Sequence, residues 1–250
     1  TSELHELPAE SVPTSFFRWN APEWGYEVFA GSRRQRFESV RPKGDMEIVV
    51  FGAGSLGSLI GGLLARTHDV TLVGRNPHMR AVGEEGLCIS GCIETTVRPH
   101  ARTTPPEAAD LAVVCVKGFD TEAAATALSA CEPRCVLSLQ NGVGHEATLA
   151  KHLSGTVLAG TCTYGAMTPT PGNVRCTGIG TDVLGSLTGG QSPAAARTGA
   201  AFEEADIDTE IAADMPRRLW KKLAVNAGIN PVTALSRIEN GAVLEGEAAE

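Results

Sequence analysis

A glycine-rich turn between a buried strand and an apolar helix is the feature that most limits how this chain can fold. The turn reads "FGAGSLGS" and places Gly52, Gly54 and Gly57 in G-x-G-x-x-G spacing. "EIVVF" before it has the short apolar run of a buried strand, and "SLGSLIGGLLART" after it is typical of an apolar helix. This context predicts the first unit of a parallel α/β sheet that binds a dinucleotide. The expected cofactor-binding residues of the turn are Gly52, Ala53, Gly54, Ser55, Leu56 and Gly57.

Strand and helix signals keep alternating after this turn. The strand signals include "DVTLVGR", "DLAVVCVK" and "CVLSLQNGVG", and the helix signals include "DTEAAATALSA" and "HEATLAKHL". After residue 156 Thr, Gly and β-branched residues dominate, which favours antiparallel strands that extend the sheet. The sequence therefore predicts an α/β fold: a Rossmann-type parallel sheet extended by antiparallel strands, followed by the start of an all-helical second domain.

Three regions follow from these patterns. Residues 1–45 hold no lasting helix or strand period and are interpreted as an N-terminal extension, with an accessory lid or partner-binding segment as the alternative. Residues 46–215 are predicted to form the dinucleotide-binding domain. Residues 216–250 read as the beginning of a helical substrate domain, which is incomplete.

The end of the second predicted strand indicates which dinucleotide is bound. NAD-binding chains usually place Asp or Glu there, where the carboxylate holds the ribose 2′-hydroxyl. This strand ends in "LVGRNP", so the carboxylate is absent and Arg75 stands in the same region. A guanidinium suits a 2′-phosphate, so NADP is the expected cofactor.

Composition excludes several function classes. The formal net charge is −8 and the sequence pI is about 5.3, which argues against nucleic-acid or membrane-surface partners. The sequence holds no apolar run of about 18 residues and no signal peptide. The seven cysteines lie mostly among apolar residues and lack the C-x2-C spacing of zinc sites, so we expect reduced thiols, no metal and a cytoplasmic protein.

A polar column marks the helix signal "LWKKLAVNAGIN". Lys222, Asn226 and Asn230 recur at four-residue steps and therefore share one helix face. Pro231 follows directly, so we expect the helix to be interrupted there. The column is flanked by apolar side chains, which predicts that it borders buried surface: Leu223, Val225 and Ile229.

Such a column suits a carbonyl reductase. An ammonium group stabilises the negative charge that develops on a ketone oxygen and delivers the proton, and asparagine amides hold a hydroxyl or a carboxylate. The alternative is a lysine on the wet side of a helix, with the asparagines there by chance.

The motifs together resemble the ketopantoate reductase (2-dehydropantoate 2-reductase) family from Met46 to about Gly241. The matching segments are "GAGSLG", "VKGFD", "LQNGVG", "GTCTYGAMTPTPGNV" and "LWKKLAVNAGINPVTAL". The resemblance implies reduction of ketopantoate to pantoate with NADPH, on the route to pantothenate and coenzyme A.

The resemblance also implies roles for single residues. Lys222 would be the catalytic acid, and Arg75 would bind the 2′-phosphate. The substrate-binding residues would be Asn226, Asn230 and Asn240, and the residues bordering the cofactor would be Lys117, Asn141 and Ala166. Lys117 is supported independently, because it lies just beyond the carboxyl end of a predicted parallel strand, where ligands bind in such sheets.

The chain departs from the family pattern at its end. The family continues past Gly241 into a larger helical domain that supplies a Ser and a Glu to the substrate, so the resemblance implies a truncated chain with weak activity at best. The expected partner is a small-molecule 2-oxo acid, and a homodimer is left open. Two alternatives remain: an NADP-dependent reductase of another 2-oxo acid, and a non-catalytic NADP-binding module.

Overall fold

The computed structural model describes residues 46–238 and the backbone of residues 35–36. The strands are β1 (Gln35–Arg36), β2 (Glu47–Phe51), β3 (Asp69–Val73), β4 (Leu87–Gly91), β5 (Ile93–Val97), β6 (His100–Arg102), β7 (Leu111–Val114), β8 (Cys135–Ser138), β9 (Thr156–Cys162), β10 (Gly165–Thr170), β11 (Asn173–Gly178), β12 (Asp182–Gly185) and β13 (Thr209–Ile211). The helices are α1 (Ser55–Leu64), α2 (His78–Glu85), α3 (Thr121–Leu128), α4 (His145–His152), α5 (Pro193–Glu204) and α6 (Met215–Ser236). The expectations for residues 1–45 and for Asn240 fall almost entirely outside the described residues.

The main sheet has eight strands in the order β13-β12-β9-β8-β7-β2-β3-β6. Strands β6, β3, β2, β7, β8 and β9 run parallel to one another, and β12 is antiparallel to β9. The predicted fold class, a parallel sheet extended by an antiparallel strand, is therefore confirmed.

Part of the segment after residue 156 builds a second sheet instead of extending the first. Strands β10 and β11 form an antiparallel hairpin, β11 runs parallel to β4, and the sheet order is β1-β5-β4-β11-β10. The sequence pattern shows strand propensity here but not the partner, because Asn173 of β11 pairs with the distant Cys88 of β4, a contact made by tertiary packing.

Helix α1 lies between the two sheets, which explains why it is apolar on all sides. Two successive glycines permit the close approach on both sides. A Cβ atom at Gly61 would lie 2.4 Å from Leu72 Cδ2 on the main sheet, and one at Gly62 would lie 2.8 Å from Ile89 Cδ1 on the second. Since residues at i and i+1 are about 100° apart on a helix, the two glycines face different layers.

The opposite face of the main sheet is covered by α3 and α4. Their apolar side chains join those of β2, β7 and β8 in one cluster that includes Ala124, Leu128, Val136 and Leu149. Helix α5 packs on the same side as α1, through Phe202 among others. The sheet is thus covered by helices on both faces, as expected for a parallel sheet.

Helix α6 continues through Pro231, so the expectation of an interruption at this residue was wrong. Proline removes one backbone donor and crowds the carbonyl one turn earlier. Two carbonyls next to the proline also accept from a side chain, since Thr233 Oγ1 lies 3.2 Å from both Ile229 O and Asn230 O. The column therefore lies on one unbroken helix.

The apolar side chains that flank the column are less buried in the structure than the sequence predicts. Leu223 and Ile229 are half-buried, but Val225 is 46% exposed. The reason is that α6 packs on the main sheet through its first turns, where Met215 and Leu219 are buried, whereas Thr233 is the one buried residue in the rest of this helix. Among the helices in residues 46–238, none combines the length and apolarity needed to cross a membrane.

His78 ties α2 to α1 and to the β10–β11 turn. Its Nδ1 accepts a hydrogen bond from Gly172 N at 3.0 Å, and its Nε2 lies 2.9 Å from the buried Ser58 Oγ. Since Nδ1 accepts from an N–H group, the ring is neutral with its proton on Nε2. Burial lowers the pKa of His78 below its ordinary value of 6.5, in agreement with a neutral ring.

We expect the free energy of unfolding to fall as the pH drops through about 6.5. The unfolded chain binds a proton on His78 more readily than the folded chain does, so acid favours unfolding. The lost bond to Gly172 contributes about 1 kcal/mol. Urea unfolding of the parent and of His78→Gln at pH values above and below 6.5 measures this, and a parent and variant with the same pH slope would contradict it.

Candidate functional site

The sequence-predicted site residues gather at one edge of the main sheet. Parallel strands end at the same edge, and the glycine turn follows β2, Arg75 follows β3, Lys117 follows β7 and Asn141 follows β8. Ligands of open α/β sheets bind at this carboxyl edge. The fold therefore brings together residues that are up to ninety positions apart in sequence.

The glycine turn has the close contacts that its spacing predicts. Gly52 has φ +101°, a left-handed conformation that favours glycine, and a Cβ atom there would lie 2.7 Å from Val116 N. A Cβ atom at Gly57 would lie 2.3 Å from Gly52 O, so this residue lets α1 approach the turn. Gly54 differs, because it is exposed and a Cβ atom there would meet nothing within 4 Å.

The space beside Gly54 fits a diphosphate. Gly54 caps α1 without any side-chain hydrogen bond. The amide groups of the first helical turn have no carbonyl partner within the helix, and the helix dipole adds a partial positive charge. Ser55 and Leu56 are half-buried in this turn, and Ser55 Oγ lies 3.1 Å from Thr168 Oγ1 of β10. This free helix N-terminus, opened by a glycine, is suited to the pyrophosphate of a dinucleotide.

Arg75 lies two residues beyond the end of β3 and is exposed. The intervening Gly74 contacts the turn, since a Cβ atom there would lie 3.0 Å from Ala53 Cβ. The Gly74 amide donates to Arg102 O at 3.1 Å. Arg102 is the last residue of the neighbouring strand β6, so a second arginine lies at this end of the sheet. A cavity of about 380 Å³ opens beside them; it is lined by Asn76, Met79, Arg80, Ala101, Arg102, Thr103 and Thr104. This end of the site is cationic and suits a phosphate.

The loops after β7 and β8 are held together by side chains that the sequence patterns did not single out. Gln140 Nε2 donates to Val116 O at 3.2 Å and to Thr121 Oγ1 at 2.8 Å. His145 Nε2 donates to Asn141 O at 3.0 Å, because a carbonyl oxygen can only accept. Lys117 and Asn141 themselves are exposed. The loops therefore present their predicted cofactor contacts to solvent on a fixed frame.

Lys222 reaches the carboxyl edge from α6. The buried Leu219 fixes the helix against β9 one turn earlier, and Lys222 Nζ donates to Cys162 O at 2.8 Å. Cys162 is the last residue of β9, so the ammonium group lies at the same sheet edge as the glycine turn. Burial lowers the pKa of Lys222. A lysine that gives up its proton more easily than usual is suited to acid catalysis.

Three further predicted residues lie in the described part of the chain, and their roles are less defined. Asn226 follows Lys222 by one turn and is half-buried, and Asn230 follows by two turns and is exposed. Ala166 of β10 is half-buried and packs against the main core. Asn240 lies outside the described residues. The substrate and cofactor contacts assigned to these side chains stay predictions.

Comparison with known proteins identifies the family. Residues 48–189 match the family model of ketopantoate reductase PanE/ApbA, and residues 214–250 match the model of its C-terminal region. The chain belongs to the ketopantoate reductase family. The resemblance inferred from the sequence motifs is thus confirmed.

Relatives in this family are similar over most of the described fold. The 2-dehydropantoate 2-reductase of Halobacterium salinarum is 44% identical over 208 residues, which cover 80% of this chain and 69% of the relative. That of Pyrococcus abyssi is 37% identical and covers 81% and 68%. A crystal structure of a PanE/ApbA family ketopantoate reductase from Ralstonia eutropha JMP134 is 33% identical, with a TM-score of 0.73 and coverage of 81% and 68%. The chain spans about two thirds of the length of these ketopantoate reductases.

Proposed function

We propose that this chain carries out the NADPH-dependent reduction of 2-dehydropantoate to pantoate, with Lys222 as the proton donor. The observation that carries the proposal is the position of Lys222 Nζ, 2.8 Å from the carbonyl at the end of β9 and at the sheet edge that also bears the glycine turn. The names of the relatives support the substrate.

The residues of the chain divide the work as follows. NADPH supplies the hydride when bound. Lys222 stabilises the negative charge that grows on the C2 carbonyl oxygen and transfers its proton there, so the ketone becomes a hydroxyl group, and the neutral amine then takes a proton from solvent. Asn226 and Asn230 hold the carboxylate and the hydroxyl of the substrate, with Asn240 as a further contact.

Residues of the loops at the same sheet edge hold the cofactor. The turn Gly52–Gly57 receives the pyrophosphate, and Arg75 receives the 2′-phosphate. Lys117, Asn141 and Ala166 border the rest of the cofactor. From the positions of these residues we propose that the chain divides into three regions, residues 1–45, 46–215 and 216–250. The second region binds the cofactor, and the third contacts the substrate.

A panel of 2-oxo acids tests the choice of substrate. We expect NADPH oxidation to be fastest with 2-dehydropantoate, because it offers a carboxylate, a ketone and a hydroxyl group to the column. A preference for another 2-oxo acid would favour the alternative of a related reductase. Binding of NADPH without oxidation by any of these acids would favour a non-catalytic module.

Location and assembly are proposed from simpler observations. All seven cysteines are free thiols, which supports a reducing compartment, and we propose the cytoplasm. The homodimer stays an alternative to the monomer, and light scattering of the purified chain distinguishes the two.

Replacement of Arg75 by alanine is expected to weaken NADPH binding by about 10- to 100-fold, because charge-assisted hydrogen bonds to the 2′-phosphate are lost. NADH lacks this phosphate, so its affinity should hardly change. Fluorescence titration with both dinucleotides measures the selectivity. Arg134→Ala is the matched control, since Arg134 is an exposed arginine at the opposite edge of the sheet, beside Asp110. Equal losses for NADPH and NADH in Arg75→Ala would contradict the assignment.

A further inference from the structure

A buried carboxyl group lies next to the catalytic lysine without an assigned role. Asp182 of β12 is fully buried, with a relative exposure of 0%. Neither of its carboxylate oxygens makes a well-formed hydrogen bond within the described part of the chain, although the Cys162 thiol lies close enough to stabilise the charged form. An isolated buried carboxylate is costly, so such a group requires an explanation.

The strand register places this carboxyl group opposite the residue that Lys222 contacts. Asp182 and Cys162 are directly opposed in the antiparallel pair of β12 and β9. Lys222 Nζ donates to the carbonyl of the same Cys162. The carboxyl and ammonium groups therefore converge on one residue, from β12 and from α6.

We propose that Asp182 is the buried counter-charge of Lys222, a positioning residue that acts on the substrate through the ammonium group and keeps it protonated at the sheet edge. The proposal deepens the proposed function, since it concerns the same proton donor. Opposite charges in the same buried region favour each other's charged forms, and the attraction is stronger where water is excluded.

The titration behaviour of both groups agrees with this pairing. Burial raises the pKa of Asp182 to about 7; a hydrogen bond from the Cys162 thiol opposes this rise most, and the charge of the Lys222 ammonium opposes it next. Burial lowers the pKa of Lys222, while Cys162 and the Asp182 carboxylate oppose the fall. Each group thus partly offsets the cost of burying the other.

Other titratable groups around Asp182 are less suited to the role. Cys162 lies opposite on β9 and Cys115 follows β7, and burial raises the pKa of both thiols, to about 12 for Cys115, so both stay neutral. Burial likewise raises the pKa of Tyr164, so its phenol is also neutral. Asp208, before β13, is exposed and bonded to Thr181 Oγ1. Lys222 is therefore the cation that faces Asp182 among the described residues.

Lysine NMR tests the proposal without any turnover. The chain has five lysines, so the Cε–Hε signals of a chain labelled with ¹³C-lysine can be resolved, and Lys222→Arg assigns the signal of interest. In Asp182→Asn the pKa of Lys222 should fall by at least about one pH unit. Asp208→Asn is the matched control: it removes an exposed carboxylate from the same neighbourhood and should move this pKa much less.

The reciprocal variant covers the case in which Asp182→Asn does not fold. In Lys222→Met the pKa of Asp182, followed by ¹³C-carboxyl NMR, should rise, because a coupling between two sites acts in both directions. An unchanged pKa of Lys222 in folded Asp182→Asn, or an unchanged pKa of Asp182 in Lys222→Met, would overturn the proposal.

A kinetic measurement adds the link to catalysis. In Asp182→Asn the decline of kcat/KM at high pH should begin at lower pH than in the parent, by the same interval as in the NMR titration. This arm rests on the proposed function, whereas the NMR arms do not. A shifted lysine pKa in a chain that reduces no 2-oxo acid would therefore support the pairing and count against the reductase proposal alone. A shifted lysine pKa with an unshifted kinetic profile would overturn the catalytic part of the inference.

Discussion

Replacement of Lys222 by alanine will lower the turnover of 2-dehydropantoate by about 100- to 1,000-fold, the usual effect of removing one donor from a developing oxyanion. In the proposed mechanism this side chain supplies both the charge that stabilises the oxygen and the proton that it receives, from its position at the end of β9. NADPH affinity should hardly change, because the glycine turn and Arg75 are untouched.

The matched control is the preceding residue. Lys221→Ala removes a lysine of the same helix that is exposed and points away from the column, so turnover should stay within about twofold of the parent. Pantoate formed over a long incubation is measured by chromatography, so that slow turnover is also counted. Equal losses in both variants, or a Lys222→Ala chain as active as the parent, would remove Lys222 from the mechanism.

Alanine at Gly54 and alanine at Gly57 should separate cofactor binding from folding. A methyl group at Gly54 meets nothing within 4 Å in the free chain, so the free energy of unfolding should change by less than about 1 kcal/mol. The same methyl group blocks the amides of the α1 N-terminus, so NADPH affinity should fall by about 10- to 100-fold.

Gly57→Ala should instead damage the fold. Its methyl group would lie 2.3 Å from Gly52 O, which is backbone and can move only with the whole turn. Overpacking of this kind costs about 1–3 kcal/mol, so both the unfolding midpoint and NADPH affinity should fall. Thermal unfolding and fluorescence titration distinguish the two variants. A Gly54→Ala chain that binds NADPH like the parent would show that the pyrophosphate does not lie at this turn.

Much of the fold could be predicted because local signals agreed with tertiary packing. The alternation of strands and helices after "FGAGSLGS" predicts the parallel sheet, and Ser192 caps α5 by accepting from Ala195 N at 3.3 Å, a residue type typical of helix N-termini. The second sheet could not be predicted, because the pairing of β11 with β4 leaves no mark in either segment. The uninterrupted α6 was also missed, since proline disfavours a helix interior as a local preference, and the rest of this 22-residue helix overrides that preference.

Site residues could be predicted from the sequence where a short motif implies a chemical property of the ligand. The glycine spacing, the arginine in place of a carboxylate and the four-residue steps of Lys222 each point to one property of a ligand. Arg102, Gln140 and Asp182 were not found, because each acts through a neighbour that is distant in sequence. For Asp182 one signal existed: a charged residue at the start of a short apolar strand, "DVLG", indicates either an exposed strand end or a buried polar contact.

Amide hydrogen exchange with and without NADPH tests the central claim most directly, namely that the loops at the carboxyl edge form one cofactor site facing Lys222. The account predicts slower exchange in three separate segments, at residues 52–58, 115–118 and 140–143, and further slowing at residues 219–230 when pantoate is added to the NADPH-bound chain. Unchanged exchange in these segments would contradict it, as would protection confined to the opposite edge, where a cavity of about 370 Å³ is lined by Arg134 and Arg197 among others.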